Sequence, residues 1–250
     1  MAKTYTLARL FVDAPLDSDV ELSAEQAHYL GRVLRLGVGD RVRVFNGRDG
    51  EVAAEIVDVS KKLMRLAVRE RLREQAVPGE LTLLFAPLKR QRTAALVEKA
   101  TELGATRLQP VVTERTQFPK LNVARMRAQA VEAAEQTERL DVPEIGEALP
   151  LLDAVGAMRC AMLMGDERGS ARAMLEALEG RALPLAVLVG PEGGWSEGER
   201  EALLAMEHCV PVTLGPRILR ADTAAAAMLA LVQAGCGDWA EGPEYRDPVD

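Results

Sequence analysis

Two different hydrophobic patterns divide this sequence near residue 76. Before that point apolar and polar residues alternate in short runs such as Arg41–Phe45 and Glu51–Val59, and a period of two is typical of strands with one buried face. The pair Asn46-Gly47 after the first run favours a hairpin turn. We therefore predict a small antiparallel β-barrel over residues 1–75, with one helix that begins at the capping sequence Ser23-Ala24-Glu25-Gln26.

After residue 76, apolar runs alternate with segments of helical period. The strand-like runs are 81–86, 108–112, 160–164, 185–189 and 210–214, and the helical segments are 93–103, 124–139, 171–178, 197–206 and 223–234. This alternation predicts an α/β domain over residues 76–240, in which helices cover both faces of a mostly parallel sheet. The polar, proline-containing residues 241–250 are expected to form a flexible tail.

The cysteine and histidine content excludes several kinds of site. The three cysteines form no CxxC pair and only two histidines are present, so we expect reduced thiols, no disulfide framework and no metal. No apolar run approaches the roughly 20 residues of a membrane helix, and residues 1–15 carry charges where a signal peptide is apolar. We expect a cytoplasmic protein with no membrane partner.

Positive charge is concentrated in one part of a chain whose net charge is -7. Residues 87–127 contain nine basic and three acidic side chains, a local excess of six positive charges. This segment is a candidate phosphate-binding surface. The alternative is a solvated face that pairs with the acidic remainder of the chain.

Two glycine-containing loops follow predicted strands. The first, residues 190–194, precedes a helix start with Ser196 as cap and Glu199 three residues later. The second, residues 215–220, precedes an alanine-rich helix capped by Asp222 or Thr223. Ligands of open α/β sheets bind at the carboxyl ends of strands, so the two loops are predicted to form two walls of one pocket. The spacing of neither loop matches a dinucleotide or P-loop nucleotide motif.

The residues of these loops resemble a known family. Gly-Pro-Glu-Gly-Gly at 190–194, followed by Leu-Gly-Pro-Arg-Ile-Leu-Arg-Ala-Asp-Thr-Ala at 214–224, is similar to the paired signature of the SPOUT methyltransferases. It resembles most closely the RsmE family, which methylates N3 of a uridine in 16S ribosomal RNA with S-adenosylmethionine. The similarity covers roughly residues 7–235, with Asp222 where the family usually has glutamate and Thr116 where it usually has serine.

The resemblance implies a PUA-like RNA-binding barrel before a SPOUT domain with a trefoil knot. It also implies a homodimer that acts on 16S ribosomal RNA or the small ribosomal subunit. The cofactor would be held by the two loops and by the end of an earlier strand. The implied cofactor-binding residues are Leu163, Met164, Val189, Gly190, Pro191, Glu192, Gly193, Gly194, Leu214, Gly215, Arg217, Ile218 and Leu219.

Methylation of uracil N3 requires removal of the N3 proton, either by a base or with help from a cation that favours the anion. Arg220, and secondarily Arg217, are candidates for the cation, and Asp222 or Glu192 for the base. A helix cap explains Asp222 equally well. The candidate RNA-binding residues are Arg9, His28, Arg32, Arg35, Lys89, Arg90, Arg92, Lys99 and Arg115, although His28 would also suit a packed position.

Two other functions stay open at this point. One is a different SPOUT reaction, ribose 2'-O-methylation of transfer or ribosomal RNA. The other is a non-catalytic RNA-binding factor for ribosome assembly. Open glycine loops favour an enzyme, because a pure binding module would have little use for them.

Overall fold

The computed structural model describes residues 7–60, 63–168 and 171–241. Within these ranges the chain forms two units, and it passes from the first to the second between Val77 and Pro78. The first unit also includes Ala134–Asp141, a segment that the sequence assigned to the second domain. Of the predicted tail at 241–250, all but Glu241 lies outside the described residues.

The first unit is built on a five-stranded sheet with the order β1-β3-β4-β5-β2. Its strands are β1 Arg9–Phe11, β2 Val20–Glu21, β3 Arg41–Phe45, β4 Glu51–Val59 and β5 Met64–Arg73. All neighbours pair antiparallel except β1 and β3, which are parallel. Alternate side chains such as Val42, Val44 and Ile56 fill one core. Helix α1, Ala24–His28, begins at the predicted capping box and continues into a π-helical turn, Tyr29–Val33.

Buried ion pairs explain why residues 134–141 belong to the first unit. The Nε of Arg9 lies 2.6 Å from Oε1 of the fully buried Glu51, and its Nη1 donates to the carbonyl of Ala134 at 2.7 Å. Arg43 makes two hydrogen bonds with Glu138, at 2.6 and 2.7 Å. Because a buried charge is costly without a partner, these arginines require the carboxylates and carbonyls that reach them from both segments.

The second unit contains eight strands that all pair in parallel. They are β6 Leu81–Phe85, β7 Arg107–Val112, β8 Glu144–Ile145, β9 Leu149–Pro150, β10 Ala161–Gly165, β11 Arg172–Ala173, β12 Leu185–Val189 and β13 Cys209–Thr213. The main order is β11-β13-β10-β12-β6-β7-β8, and β9 pairs with β7. The strands β13, β10 and β12, distant in sequence, are therefore neighbours in the sheet.

Helices cover both faces of this sheet. They are α2 Arg90–Glu102, α3 Val123–Gln136, α4 Leu151–Gly156, α5 Met174–Leu178, α6 Glu197–Leu204 and α7 Ala221–Cys236. Side chains of β12 alternate between two cores: Val187 packs with residues of α2, α3, α5 and α7, whereas Leu188 packs with residues of α4 and α6. The predicted α/β fold class is confirmed, while the trefoil knot stays a prediction. Among the described helices, none combines the length and apolarity needed to cross a membrane.

Candidate functional site

A cavity of about 490 Å³ opens at the carboxyl ends of β10, β12 and β13. Its volume is within the range of about 300–1,000 Å³ that is usual for small-molecule sites. Both glycine loops contribute walls, as the sequence predicts. The predicted residues that line it are Val189, Gly190, Pro191, Glu192, Gly194, Leu214, Gly215, Arg217, Ile218, Leu219 and Arg220.

Three glycines shape these walls for different reasons. A Cβ on Gly190 would lie 3.0 Å from the ring of Trp195, so a side chain there would push the loop or the ring aside. Gly194 and Gly215 have φ of 66° and 96°, a region that residues with a side chain rarely adopt. Trp195 also lines the cavity, and its Nε1 donates to the carbonyl of Gly165 at 3.1 Å. The indole thus ties the first loop to the end of β10.

The third wall begins two residues later than the sequence predicts. Leu163 and Met164 are fully buried in the two cores, on opposite faces of the sheet, and they do not line the cavity. Gly165, Asp166 and Glu167 line it instead. The correction has a simple cause: side chains within a strand that is covered on both faces point into the cores, and only the residues at its carboxyl end and beyond it reach this edge of the sheet.

Gly193 also lies outside the lining, although its neighbours belong to it. Its carbonyl accepts a hydrogen bond of 2.8 Å from Nη1 of Arg115, and a Cβ at this position would contact the Arg115 side chain at 3.4 Å. Arg115, a predicted RNA contact, therefore holds the outer side of the first loop. A second hydrogen bond joins the same two segments: Oε1 of Glu199, in the first turn of α6 after this loop, accepts from the amide of Glu114 at 2.7 Å.

Arg92 joins the two carboxylates that are candidate bases. It donates to both oxygens of Asp222, from Nε at 3.0 Å and from Nη2 at 2.6 Å, and its Nη1 donates to Glu192 at 2.6 Å. The hydrogen bonds from Arg92 lower the pKa of Asp222 below its ordinary value. Asp222 does not line the cavity. Both observations count against Asp222 as a base for uracil N3.

The cations of the second loop are arranged differently. Arg217 and Arg220 both line the cavity, and neither forms an ion pair with another described residue. By contrast, the buried Asp166 in the third wall is paired with Arg200 at 2.8 Å. The two free guanidinium groups are thus available to a bound anion or to a polar base edge.

The candidate RNA-binding residues fall into two groups. His28, Arg32, Arg35, Lys89 and Arg90 are exposed. The others have protein partners. Arg9 is buried against Glu51 and Arg92 is paired as above, whereas Arg115 and Lys99 are exposed but engaged: Arg115 holds Gly193, and Nζ of Lys99 lies 2.8 Å from Oε1 of Glu102. Arg9 is the clearest correction, because desolvation lowers its pKa and its guanidinium lies 3.8 Å from the centre of the Phe45 ring, inside the first unit.

The thiols offer no nucleophile at this site. Burial raises the pKa of Cys209 to about 11, so the thiol stays protonated near neutral pH. Within the described ranges, no three histidine, cysteine or acidic residues are grouped in a way that would hold a metal ion.

Two family models match this chain. The model of an RNA methyltransferase domain matches residues 75–233, and that of an RNA methyltransferase PUA domain matches residues 22–68. The second match lies in the five-stranded unit, and the first includes every wall of the cavity.

Curated relatives and solved structures agree with these models. The chain is 33% identical to ribosomal RNA small subunit methyltransferase E of Rickettsia conorii, over 90% of this chain and 94% of the relative. It is 34% identical to the Synechocystis enzyme of the same name, over 93% and 80%. A methyltransferase of Legionella pneumophila, solved with bound SAM, superposes with a TM-score of 0.83 at 28% identity, covering 93% of this chain and 99% of that one.

A second solved structure carries the same family name. Ribosomal RNA small subunit methyltransferase E of Neisseria gonorrhoeae, bound to S-adenosyl methionine, has a TM-score of 0.81 and 26% identity, over 93% of this chain and 99% of that one. Its coverage, like that of the curated relatives, includes both units. The chain belongs to the RNA methyltransferase family and, within it, to the ribosomal RNA small subunit methyltransferase E (RsmE) family.

Proposed function

We propose that this protein transfers a methyl group from S-adenosylmethionine to N3 of one uridine in 16S ribosomal RNA. The observation that carries the proposal is the cavity itself, which lies between the two glycine loops at the carboxyl ends of three adjacent parallel strands. The names of the curated relatives supply the RNA class, the S-adenosylmethionine bound in the two solved structures supplies the donor, and the family resemblance supplies the position on the base.

The residues of the cavity fit such a donor. Glycines at 190, 194 and 215 leave the backbone of both loops accessible, and Leu214, Ile218 and Leu219 provide apolar contacts for an adenine ring. Ile218 is 83% exposed, so its side chain is free to cover a ligand. When bound, the donor supplies an activated methyl group, because its sulfonium makes the attached carbon electrophilic.

The protein's own contribution is to orient the uracil and to favour loss of the N3 proton. Arg220 is the candidate for this role, because its guanidinium is unpaired among the described residues and stands at the cavity. A cation beside the uracil carbonyl oxygens lowers the cost of the uracil anion. Arg217, three residues earlier in the same loop, is a second cation for the anion or for the adjoining phosphate.

The carboxylates have a lesser part in proton removal. Asp222 is held by Arg92 through both oxygens, and Glu192 accepts from the same guanidinium through Oε1. The pairing lowers the pKa of Asp222 and so makes it a weaker base than a free carboxylate, and it occupies Oε1 of Glu192. We propose that the proton leaves to solvent while Arg220 stabilises the anion, and that Glu192 keeps only a secondary role as acceptor.

RNA binding is assigned to the exposed candidate cations that form no ion pair or side-chain hydrogen bond with another described residue. In the first unit these are Arg32 and Arg35, beside the exposed His28 on the segment that includes the π-helical turn. In the second unit they are Lys89 and Arg90 at the start of α2. Phosphate contacts by such residues position RNA without reading its sequence. The selection of one uridine therefore depends on the shape of the RNA around it.

We further propose a homodimer, as the family resemblance implies, and a cytoplasmic location, as expected from the sequence. Light scattering distinguishes a dimer from a 27.1 kDa monomer.

Ribosomal RNA from cells with and without this protein provides the test in the cell. Nucleoside mass spectrometry should show the loss of one N3-methyluridine from the small-subunit RNA. Loss of a ribose-methylated nucleoside would instead assign the other SPOUT reaction, and an unchanged nucleoside content would favour a non-catalytic assembly factor.

A further inference from the structure

Arg92 stands at the junction of three segments that are far apart in the chain. It lies in the first turn of α2, while Glu192 belongs to the loop after β12 and Asp222 to the first turn of α7. Its Nε and both terminal nitrogens are used in these contacts. The side chain is 23% exposed, so the pairs are partly shielded from water.

Arg92 does not line the cavity, whereas the residues it connects adjoin both walls. Glu192 lines the cavity directly, and Asp222 lies between the lining residue Ala221 and the lining residue Ala224 on α7. A change in the position of Arg92 would therefore alter the separation of the two loops without removing any contact to a ligand.

The chemistry of the contact requires a guanidinium. A planar fork donates to both oxygens of Asp222 while its remaining terminal nitrogen reaches Glu192, and a lysine ammonium offers one compact point of charge that does not reproduce this geometry. This use of all three nitrogens also separates Arg92 from the exposed Lys89 and Arg90, which keep their charges free for phosphate.

We infer that Arg92 is a positioning residue for the donor pocket: by tying Glu192 to Asp222 it sets the separation of the two loops that enclose the cavity. The inference depends on the proposed function only for the identity of the ligand. It gives Asp222 a structural rather than a catalytic role, and it removes Arg92 from the RNA-binding surface.

A double-mutant cycle measured as donor affinity tests this inference. Calorimetry would give the Kd of S-adenosylmethionine for the wild-type protein, Arg92→Ala, Asp222→Ala and the double variant. We expect each single change to raise Kd about tenfold and the double change to cost no more than the larger single one, because residues of one ion-pair network are not additive. Arg92→Lys should be intermediate. Arg69→Ala, which breaks an exposed pair with Glu55 in the first unit, is the matched control and should bind normally.

Two further readouts separate positioning from a merely structural role or a phosphate contact. RNA affinity of Arg92→Ala should match that of the wild type. Its thermal midpoint without donor should fall by no more than about 2–4 °C, the shift expected in a chain of this size for the loss of one partly exposed ion-pair network. If Arg92→Ala fails to fold, the same measurements are made with Arg92→Lys, which retains the positive charge beside Asp222 and Glu192.

The outcomes are distinct. Three results would overturn the inference while leaving the proposed function intact. They are additive losses of donor affinity in the double variant, unchanged donor affinity in both Arg92→Ala and Arg92→Lys, and a loss confined to RNA binding. Failure of the wild-type protein to bind S-adenosylmethionine would overturn the proposed function itself, and with it the donor pocket to which Arg92 is assigned.

Discussion

The guanidinium of Arg92 has a different role from the cations beside it in the sequence. Lys89, Arg90 and Arg92 are indistinguishable as members of one basic segment, and only the fold shows that Arg92 faces two carboxylates 100 and 130 residues away. Charge counts along a chain cannot distinguish a cation that contacts phosphate from one that forms an internal ion pair. The order of strands in the sheet decides which distant carboxylates come close to a given arginine, and the local sequence does not show that order. The same limitation explains why the sequence predicts Arg9 as an RNA contact although the structure buries it.

The lowered pKa of Asp222 makes a prediction about stability and pH. A carboxylate whose pKa is depressed in the folded state stabilises the protein above its ordinary pKa of about 4, and this contribution is lost as the pH falls through the depressed value. Asp222→Asn should therefore lower the free energy of unfolding at pH 7 by about 1 kcal/mol, a value discounted for the partial exposure of the pair.

Chemical denaturation at pH 7 and pH 3 checks this prediction. The difference between wild type and Asp222→Asn should shrink at the lower pH. Glu201→Gln, which changes an exposed carboxylate of α6, is the control and should show no such difference. An Asp222→Asn variant as stable as the wild type at both values would argue against the ion pair with Arg92.

Arg220 is tested through the rate of methyl transfer. Loss of a preorganised charge beside a developing anion costs about 100-fold in kcat in comparable sites, so Arg220→Ala should be slowed by about this factor at neutral pH. The defect should diminish as the pH rises, because hydroxide increasingly removes the N3 proton without help. Arg217→Ala should cost less, and equal rates for Arg220→Ala and wild type would exclude the assigned role.

At the scale of elements, the strand and helix pattern of the second unit was largely predictable. The runs 81–86 and 185–189 correspond to β6 and β12, and the helical segment 223–234 lies within α7. The missed elements are the strands β8, β9 and β11, which have two residues each, and the six-residue helix α4, and all are too short to show a clear period. The contribution of Asp166, Glu167 and Trp195 to the cavity depends on β10 lying between β12 and β13, an order that local sequence does not encode.

The first glycine loop provides a prediction at this scale. Gly190→Ala places a Cβ about 3.0 Å from the Trp195 ring, so the loop or the ring must shift and donor affinity should fall about tenfold, as expected when packed neighbours are forced apart. Gly198→Ala is the matched control, because a Cβ there meets nothing within 4 Å and Gly198 lies in α6. Calorimetry showing equal donor affinity for both variants would contradict the assigned wall.

On the scale of the whole molecule, the proposed function uses two kinds of site in two units. The small unit offers exposed cations beside its π-helical turn, and the large unit offers the cavity and the start of α2. A net charge of -7 does not oppose RNA binding, since local charge and not the total determines the field near a phosphate.

Salt dependence measures how many of these cations bind phosphate. Each phosphate contact contributes a slope of about 0.7–0.9 to the fall of log affinity with log salt. A double change of Lys89 and Arg90 to Ala should therefore reduce the slope by about 1.5. Lys99→Ala should change it less, because Lys99 is already paired with Glu98 and Glu102. If Lys99→Ala reduces the slope by half as much as the double change does, the three residues contribute equally and this division is contradicted.

The central claim is that the cavity between the two glycine loops delivers a methyl group to uridine N3. Its most direct test incubates the purified protein with S-adenosylmethionine and unmodified 16S ribosomal RNA, either naked or within the small subunit, and analyses the nucleosides by mass spectrometry. The account predicts one N3-methyluridine per RNA. A ribose-methylated product, or no methylated nucleoside with either substrate, would contradict it.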